Sequence, residues 1–152
     1  MQRINRLSVL AIVAACVALA SIPAAAEPAQ WDQAAVTAIG KQLATATSGW
    51  WQAVRQQGGD TVGDGDAQPE FGIANKARTI DEMGEGLSAH LAAGQGHDET
   101  VDMYRSLKEV VDDTQVLTEQ AELDQPTIDA WAKVQAAMGQ LAPYYEPKAK
   151  AR

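Results

Sequence analysis

Apolar residues recur at steps of three and four along four stretches of the chain, which is the spacing of one face of an α-helix. The stretches run from Pro28 to about Gln57, from about Glu70 to Ala93, from Asp98 to about Glu122 and from Gln125 to about Leu141. The residues on the four stripes are Trp31, Ala35, Ile39, Leu43, Ala46, Trp50 and Val54; Ile73, Ala77, Ile80, Gly84, Leu87 and Leu91; Val101, Tyr104, Leu107, Val111, Thr114 and Leu117; and Ile128, Trp131, Val134, Met138 and Leu141. This pattern predicts four amphipathic helices.

Residues that start and stop helices separate these stretches. Gly58-Gly59 ends the first one, and Gly94 stands where a helix C-cap favours glycine. Asp124 precedes the last stretch as a capping residue, and Pro126 fits the first turn of the helix that follows. Pro143 is predicted to end that helix.

The predicted fold is all-α. No stretch alternates apolar and polar residues as a half-buried strand would. Four long helices with short second and third connections predict an up-down-up-down antiparallel four-helix bundle. Alanine is frequent on the stripes, so we expect a thin core filled by Trp31, Trp50, Trp51 and Trp131, with Gly84 leaving room for one of the indoles.

The first 26 residues have the layout of a secretory signal peptide. Arg3 and Arg6 precede the apolar run 7–20, and small residues lead to a predicted cleavage after Ala26. Val13-Ala14-Ala15-Cys16 resembles a lipidation site, but more apolar sequence follows it, which favours soluble export over a lipid anchor at Cys16. We therefore expect a periplasmic or secreted protein of a bacterial envelope.

The domain organisation follows from these segments. Residues 1–26 are the predicted signal peptide, residues 27–147 the four-helix bundle and residues 148–152 a basic, flexible tail. Residues 60–69 are rich in glycine and aspartate and lack periodicity, so they are predicted to form a flexible loop.

Charge and cysteine content exclude several classes of protein. The formal net charge of −8 becomes −10 when Arg3 and Arg6 leave with the signal peptide. Such a balance opposes binding to nucleic acid, whose affinity comes from lysine and arginine. No later apolar run is long enough to span a bilayer. Cys16 is the single cysteine, so the mature chain has no disulfide and no thiolate chemistry.

No catalytic constellation can be assigned. The chain contains no Gly-x-Ser-x-Gly turn, no Gly-x-x-x-x-Gly-Lys phosphate loop and no histidine with glutamate three residues before it. The aspartates at 60, 64 and 66 depart from the calcium-loop pattern because Ala67 follows Asp66. We expect no catalytic residue, no resident cofactor and no enzyme activity.

Two functions are compatible with these features. The first is a non-catalytic protein that binds a protein or peptide partner, a basic one being suited to the acidic surface. Trp50 and Trp51 are adjacent, so both cannot face the core of one helix, and one of them is a candidate anchor for the partner. We expect the protein to be a monomer or a homodimer.

The alternative is a periplasmic carrier of a small ligand, with non-covalent haem or copper held at one end of the bundle. In the predicted topology that end gathers His90 and His97 with Met103 and Met138, beside Trp31 and the tyrosines at 104, 144 and 145. Imidazole and thioether groups are the ligands that such centres use.

Overall fold

The computed structural model describes residues 29–59 and 69–146, which form four α-helices and no strand. Helix α1 spans Gln33–Gly59, α2 Pro69–Ala92, α3 His97–Gln120 and α4 Gln125–Tyr145. The predicted signal peptide, the basic tail and residues 60–68 of the predicted loop lie outside the described residues.

The four helices pack into a bundle around one core. Helix α1 contacts α2 and α4 extensively, α2 also contacts α3, and the α3–α4 interface is the sparsest of the four. Near its start α1 lies beside the end of α2, where Gly40 faces Ser88 and Leu91. Near its end α1 meets the α3–α4 connection, where the Gln57 amide donates to the Glu122 carbonyl at 2.8 Å.

Within residues 29–59 and 69–146, no helix combines the length and the hydropathy that a membrane crossing requires.

The core is centred on two tryptophans from neighbouring helices. Trp50 is fully buried, and its ring centroid lies 4.5 Å from that of Trp131. The aliphatic residues with essentially no exposure are Val36, Leu43, Ile73, Ile80, Leu87, Leu91, Leu107, Val134 and Leu141. The tryptophan pair thus supplies the volume that an alanine-rich pattern lacks.

Threonines occupy core positions that the sequence pattern assigned to neighbouring residues. Thr47, Thr100 and Thr127 are fully buried, whereas Ile128 is 45% exposed. The prediction that Ile128 faces the core is therefore wrong. Each of these threonines keeps the helical spacing of its stripe, and a hydroxyl that donates to a carbonyl of its own helix can enter a core at little cost. Thr47 and Thr100 do so, at 3.1 Å from the Ala44 carbonyl and 2.7 Å from the Gly96 carbonyl, whereas the Thr127 hydroxyl has no partner among the described residues.

Gly84 serves a different purpose from the predicted one. A Cβ built there would lie 2.8 Å from Thr47 Oγ1 and 3.0 Å from Thr47 Cγ2. The glycine therefore lets α2 approach a threonine of α1, and the prediction that it makes room for an indole is wrong.

Two helix boundaries differ from the predicted ones, each for a local reason. Helix α1 begins at Gln33 instead of Pro28, because the Asp32 carboxylate accepts from the backbone N–H groups of Ala34 and Ala35, both at 3.0 Å. Helix α4 continues through Pro143 to Tyr145. A proline in a last turn removes a single hydrogen bond, and the turn is still closed by the Glu146 N–H on the Ala142 carbonyl at 2.8 Å.

The predicted caps at Gly94 and Asp124 are present. Gly94 has φ +83°, the left-handed conformation that ends many helices and that glycine adopts without steric cost. The Asp124 side chain accepts from the Thr127 N–H at 2.9 Å, which satisfies one of the free donors at the start of α4.

Removing the Asp124 cap should have a measurable cost. We expect Asp124→Ala to lower the free energy of unfolding by about 1 kcal/mol, because the Thr127 N–H then loses its acceptor. Asp129→Ala, an exposed aspartate one turn later on the same helix, is the matched control and should cost under about 0.5 kcal/mol. Urea unfolding followed by circular dichroism measures both, and equal losses would contradict a capping role.

Candidate functional site

The adjacent tryptophans of α1 have different surroundings. Trp50 is fully buried, so its side chain has no surface to offer a partner. Trp51 is partly buried at the edge of the core, and the guanidinium carbon of Arg55 lies 5.6 Å from its ring centroid. Of the two predicted anchor residues, only Trp51 lies at the surface.

Helices α1 and α2 meet at a seam that holds a perturbed carboxyl group, and Trp51 lies one helical turn beyond it on α1. One turn before Trp51, Thr47 Oγ1 lies 3.5 Å from Oδ1 of Asp81 on α2. Burial raises the pKa of the Asp81 carboxyl, the negative charge of Glu85 raises it further, the Thr47 hydroxyl lowers it, and Glu82 adds a smaller increase. Among the described residues, no cation lowers the pKa of the Asp81 carboxyl, and the Trp51 indole lies one turn further along α1.

At the opposite end of α1, aromatic side chains from three segments of the chain pack together. Tyr104 stacks on Tyr145 with ring centroids 4.3 Å apart, and His97 also stacks on Tyr145, with ring centroids 5.7 Å apart. Trp31 meets His97 edge-on at 5.8 Å and Tyr145 at 5.4 Å. We call Trp31, His97, Tyr104, Tyr144 and Tyr145 the aromatic cluster.

The hydroxyl groups of this cluster have partners within the bundle. The Tyr104 hydroxyl donates to the Glu146 carboxylate at 2.9 Å, and the hydroxyls of Tyr145 and Thr100 are 2.8 Å apart. Burial raises the pKa of both tyrosines, and the Glu146 carboxylate raises that of Tyr104 further. Both phenols are thus held as neutral hydrogen-bonding groups.

The four predicted ligand residues have separate partners. His90 Nδ1 contacts the Gln95 side chain, and His97 Nδ1 contacts Asp98 at 2.8 Å. Met103 lies beside Met83 and Ser106, whereas Met138 is buried in the core, 7% exposed. Only His97 joins the aromatic cluster. Among the described residues, no three histidine, cysteine, aspartate or glutamate side chains are grouped in a way that could hold a metal ion.

A long groove runs along the outer surface between α1 and α4. Its volume is about 800 Å³, and its lining consists of small, amide and lysine side chains. Its small lining residues include alanines and Gly49, and Lys41 and Lys133 are its charged lining residues. None of its lining residues carries a carboxylate.

No protein-family model, curated protein or solved structure matches this chain.

The sequence pattern indicated Trp51 and placed Asp81 with Glu82 and Glu85 on a solvated helix face, but it did not indicate the groove. The two sides of the groove follow spacings of three and four along α1 and α4, but the residues there are polar or small. A search for apolar stripes passes over such positions. The signal that could have found the groove is the absence of acidic residues from α1, in a chain with 20 of them.

Proposed function

We propose that this protein is a non-catalytic, exported binding protein that recognises a basic segment of a partner protein at the seam between α1 and α2. The observation that supports this best is the environment of Trp51. Its indole is partly exposed and already lies against a guanidinium, that of Arg55. An aromatic face that accepts an arginine of its own chain is suited to accept one from a partner.

The charges around the seam favour a cationic partner. Asp81, Glu82 and Glu85 lie within one turn of each other on α2, and their mutual repulsion contributes to the raised pKa of Asp81. A lysine or arginine placed there would relieve that repulsion and stabilise the charged form of Asp81. Binding should therefore weaken as the pH falls through the pKa of Asp81, which lies above the ordinary range of an aspartate.

The first test is Trp51→Ala. Loss of an interfacial tryptophan that anchors a partner typically costs about 2 kcal/mol or more, so the Kd for the partner should rise about thirtyfold. The melting temperature should fall by less than about 5 °C, since Trp51 lies at the edge of the core. Envelope extracts are first screened for proteins that the wild type captures and Trp51→Ala does not. Calorimetry then measures the Kd of each such protein for the wild type and for Trp51→Ala.

A matched control distinguishes an effect of the seam on partner affinity from an effect of surface charge in general. Arg105→Ala changes an exposed side chain of α3 and should leave partner affinity unchanged. Asp81→Asn should weaken binding and remove the pH dependence. If Trp51→Ala instead lowers stability as strongly as a core substitution, or retains full affinity, the seam is not the binding site.

A carrier of haem or copper remains the alternative, and one observation favours it. The partly exposed imidazole of His97 lies among aromatic rings at one end of the bundle. Protein recovered from a periplasm should then absorb visible light, with the band lost in His90→Ala or His97→Ala. Colourless protein with the mass of the polypeptide alone would exclude a bound haem or copper, and only the partner-binding proposal would remain.

The proposal includes the topology and the export of the chain. The contacts of α1 with α2 and α4 support an up-down-up-down bundle with antiparallel neighbours. Intact-mass measurement of the envelope protein would show whether it begins at Glu27, as cleavage after Ala26 requires. A protein that begins at lipidated Cys16 would instead be anchored to a membrane.

A further inference from the structure

Charge is divided between two sides of the bundle. Helices α1 and α4 together carry three cationic side chains, Lys41, Arg55 and Lys133, and one carboxylate, Asp129. Helix α3 alone carries seven carboxylates against two cationic side chains, and α2 carries four against two besides His90. An acidic protein thus has one pair of helices with a small excess of positive charge.

The two lysines of the groove are available to a partner. Neither Lys41 nor Lys133 takes part in an ion pair among the described residues, whereas Lys76 and Lys108 each pair with an aspartate. Both groove lysines are exposed. A ligand in the groove would therefore meet two free ammonium groups and no carboxylate.

The shape of the groove fits a helix. On α1 its lining includes Gln42, Thr45, Gly49, Gln52 and Gln56, and this side alternates steps of three and four. The α4 side has the same spacing. Gly49 has no atom within 4 Å of an added Cβ, so the groove is open to a neighbouring backbone at this point. A helix that carries side chains at the same spacing could pack along it.

Such a helix is present on the acidic side of the same chain. The outer face of α3 presents Asp102, Ser106, Glu109, Asp113 and Val116 at steps of four and three, all exposed. Val116 is 53% exposed, which makes it the more exposed of the two large apolar side chains at the surface of the described residues. Asp102 pairs with Arg105 and Asp113 with Lys76, whereas Glu109 takes part in no ion pair among the described residues. The carboxylates give this face an acidic character that complements the groove lysines, and its serine and valine suit the alanines and Gly49 of the groove.

We propose that the groove between α1 and α4 binds the outer face of α3 of a second copy of this chain. The two surfaces differ, so the contact is heterologous, and a dimer formed in this way still has one free groove and one free α3 face. The wild-type protein should therefore assemble beyond the dimer as its concentration rises from micromolar to millimolar. The contact relies on exposed charges, so it should weaken as salt shortens the Debye length.

Two neutralising variants test the contact by complementation. The groove variant is Lys41→Gln with Lys133→Gln, and the face variant is Asp102→Asn with Glu109→Gln. All four residues are exposed, so both variants should fold, which circular dichroism checks. In sedimentation velocity each variant alone should associate at least about tenfold more weakly than the wild type. Mixed together they should form a one-to-one dimer that grows no further, because one intact groove then meets one intact face.

The matched control is Arg78→Gln with Arg105→Gln, which makes the same change in net charge on the acidic side. It should associate at least as strongly as the wild type. Three outcomes would overturn the proposal: a wild type that is monomeric at every concentration, association that stops at the dimer, or a control that loses association as fully as the groove variant. Trp51→Ala should leave association unchanged, so this result is independent of the partner proposed above.

Discussion

Replacing Trp50 with alanine is expected to lower the free energy of unfolding by about 3 to 5 kcal/mol, a large share of the stability of an ordinary domain. The side chain is fully buried and packs against Trp131, so the substitution leaves a cavity at the centre of the bundle. Chemical denaturation followed by circular dichroism measures the loss.

The control is Trp50→Phe. The indole N–H of Trp50 is buried and has no hydrogen-bond partner among the described residues. Phenylalanine removes that unsatisfied donor and keeps an aromatic ring near Trp131, so its cost should be well below that of alanine. Equal losses in the two variants would show that ring packing does not hold the core together.

Gly84→Ala is expected to destabilise the protein by about 1 to 3 kcal/mol, although alanine is the better helix former. The new methyl group would lie 2.8 Å from Thr47 Oγ1 and 3.3 Å from Thr47 Cβ, and Thr47 is fully buried. Gly139→Ala is the matched control, because nothing lies within 4 Å of a Cβ there. It should raise the free energy of unfolding by about 0.5 to 1 kcal/mol.

A double-mutant cycle identifies the clash. Thr47→Ala removes Oγ1 and Cγ2, the two atoms nearest to the Gly84 methyl group, so Gly84→Ala should cost less in that background than in the wild type. The coupling energy should be favourable and above about 0.5 kcal/mol. If the losses in stability of the two single variants are additive, the cost of Gly84→Ala does not come from a clash with Thr47.

The sequence predicted the helices well and their faces less well. Helix signals such as Gly94 and Asp124 act locally, so they can be interpreted without knowledge of the tertiary packing. Which face of a helix is buried depends on the helices around it, and the sequence alone does not show whether a threonine lies on the buried or on the exposed face. Thr47 and Thr100 enter the core because their hydroxyls bond to carbonyls of their own helices. A hydropathy pattern scores those residues as polar.

The candidate site was predicted in part, for a related reason. Two adjacent tryptophans on a helix require that one lie near the surface, and Trp51 does. Asp81, which contacts Thr47 one turn before Trp51, belongs to another helix. The raised pKa of Asp81 comes from burial and from Glu85, which depend on how α2 packs. The groove likewise exists only where α1 and α4 meet. A site formed by two helices depends on the register between them, and the hydropathy pattern of a single sequence does not give that register.

A backbone hydrogen bond and the packing of aromatic rings hold the start of α1 to the end of α4. The Ala29 N–H donates to the Pro143 carbonyl at 3.0 Å, and Trp31 packs against Tyr144 and Tyr145. Helix ends usually fray independently, each at a small local free energy. Here the start of α1 cannot open without exposing the aromatic rings at the end of α4, and the reverse also holds. In amide hydrogen exchange the first and last described turns should therefore behave as one cooperative unit, although more than a hundred residues separate them along the chain.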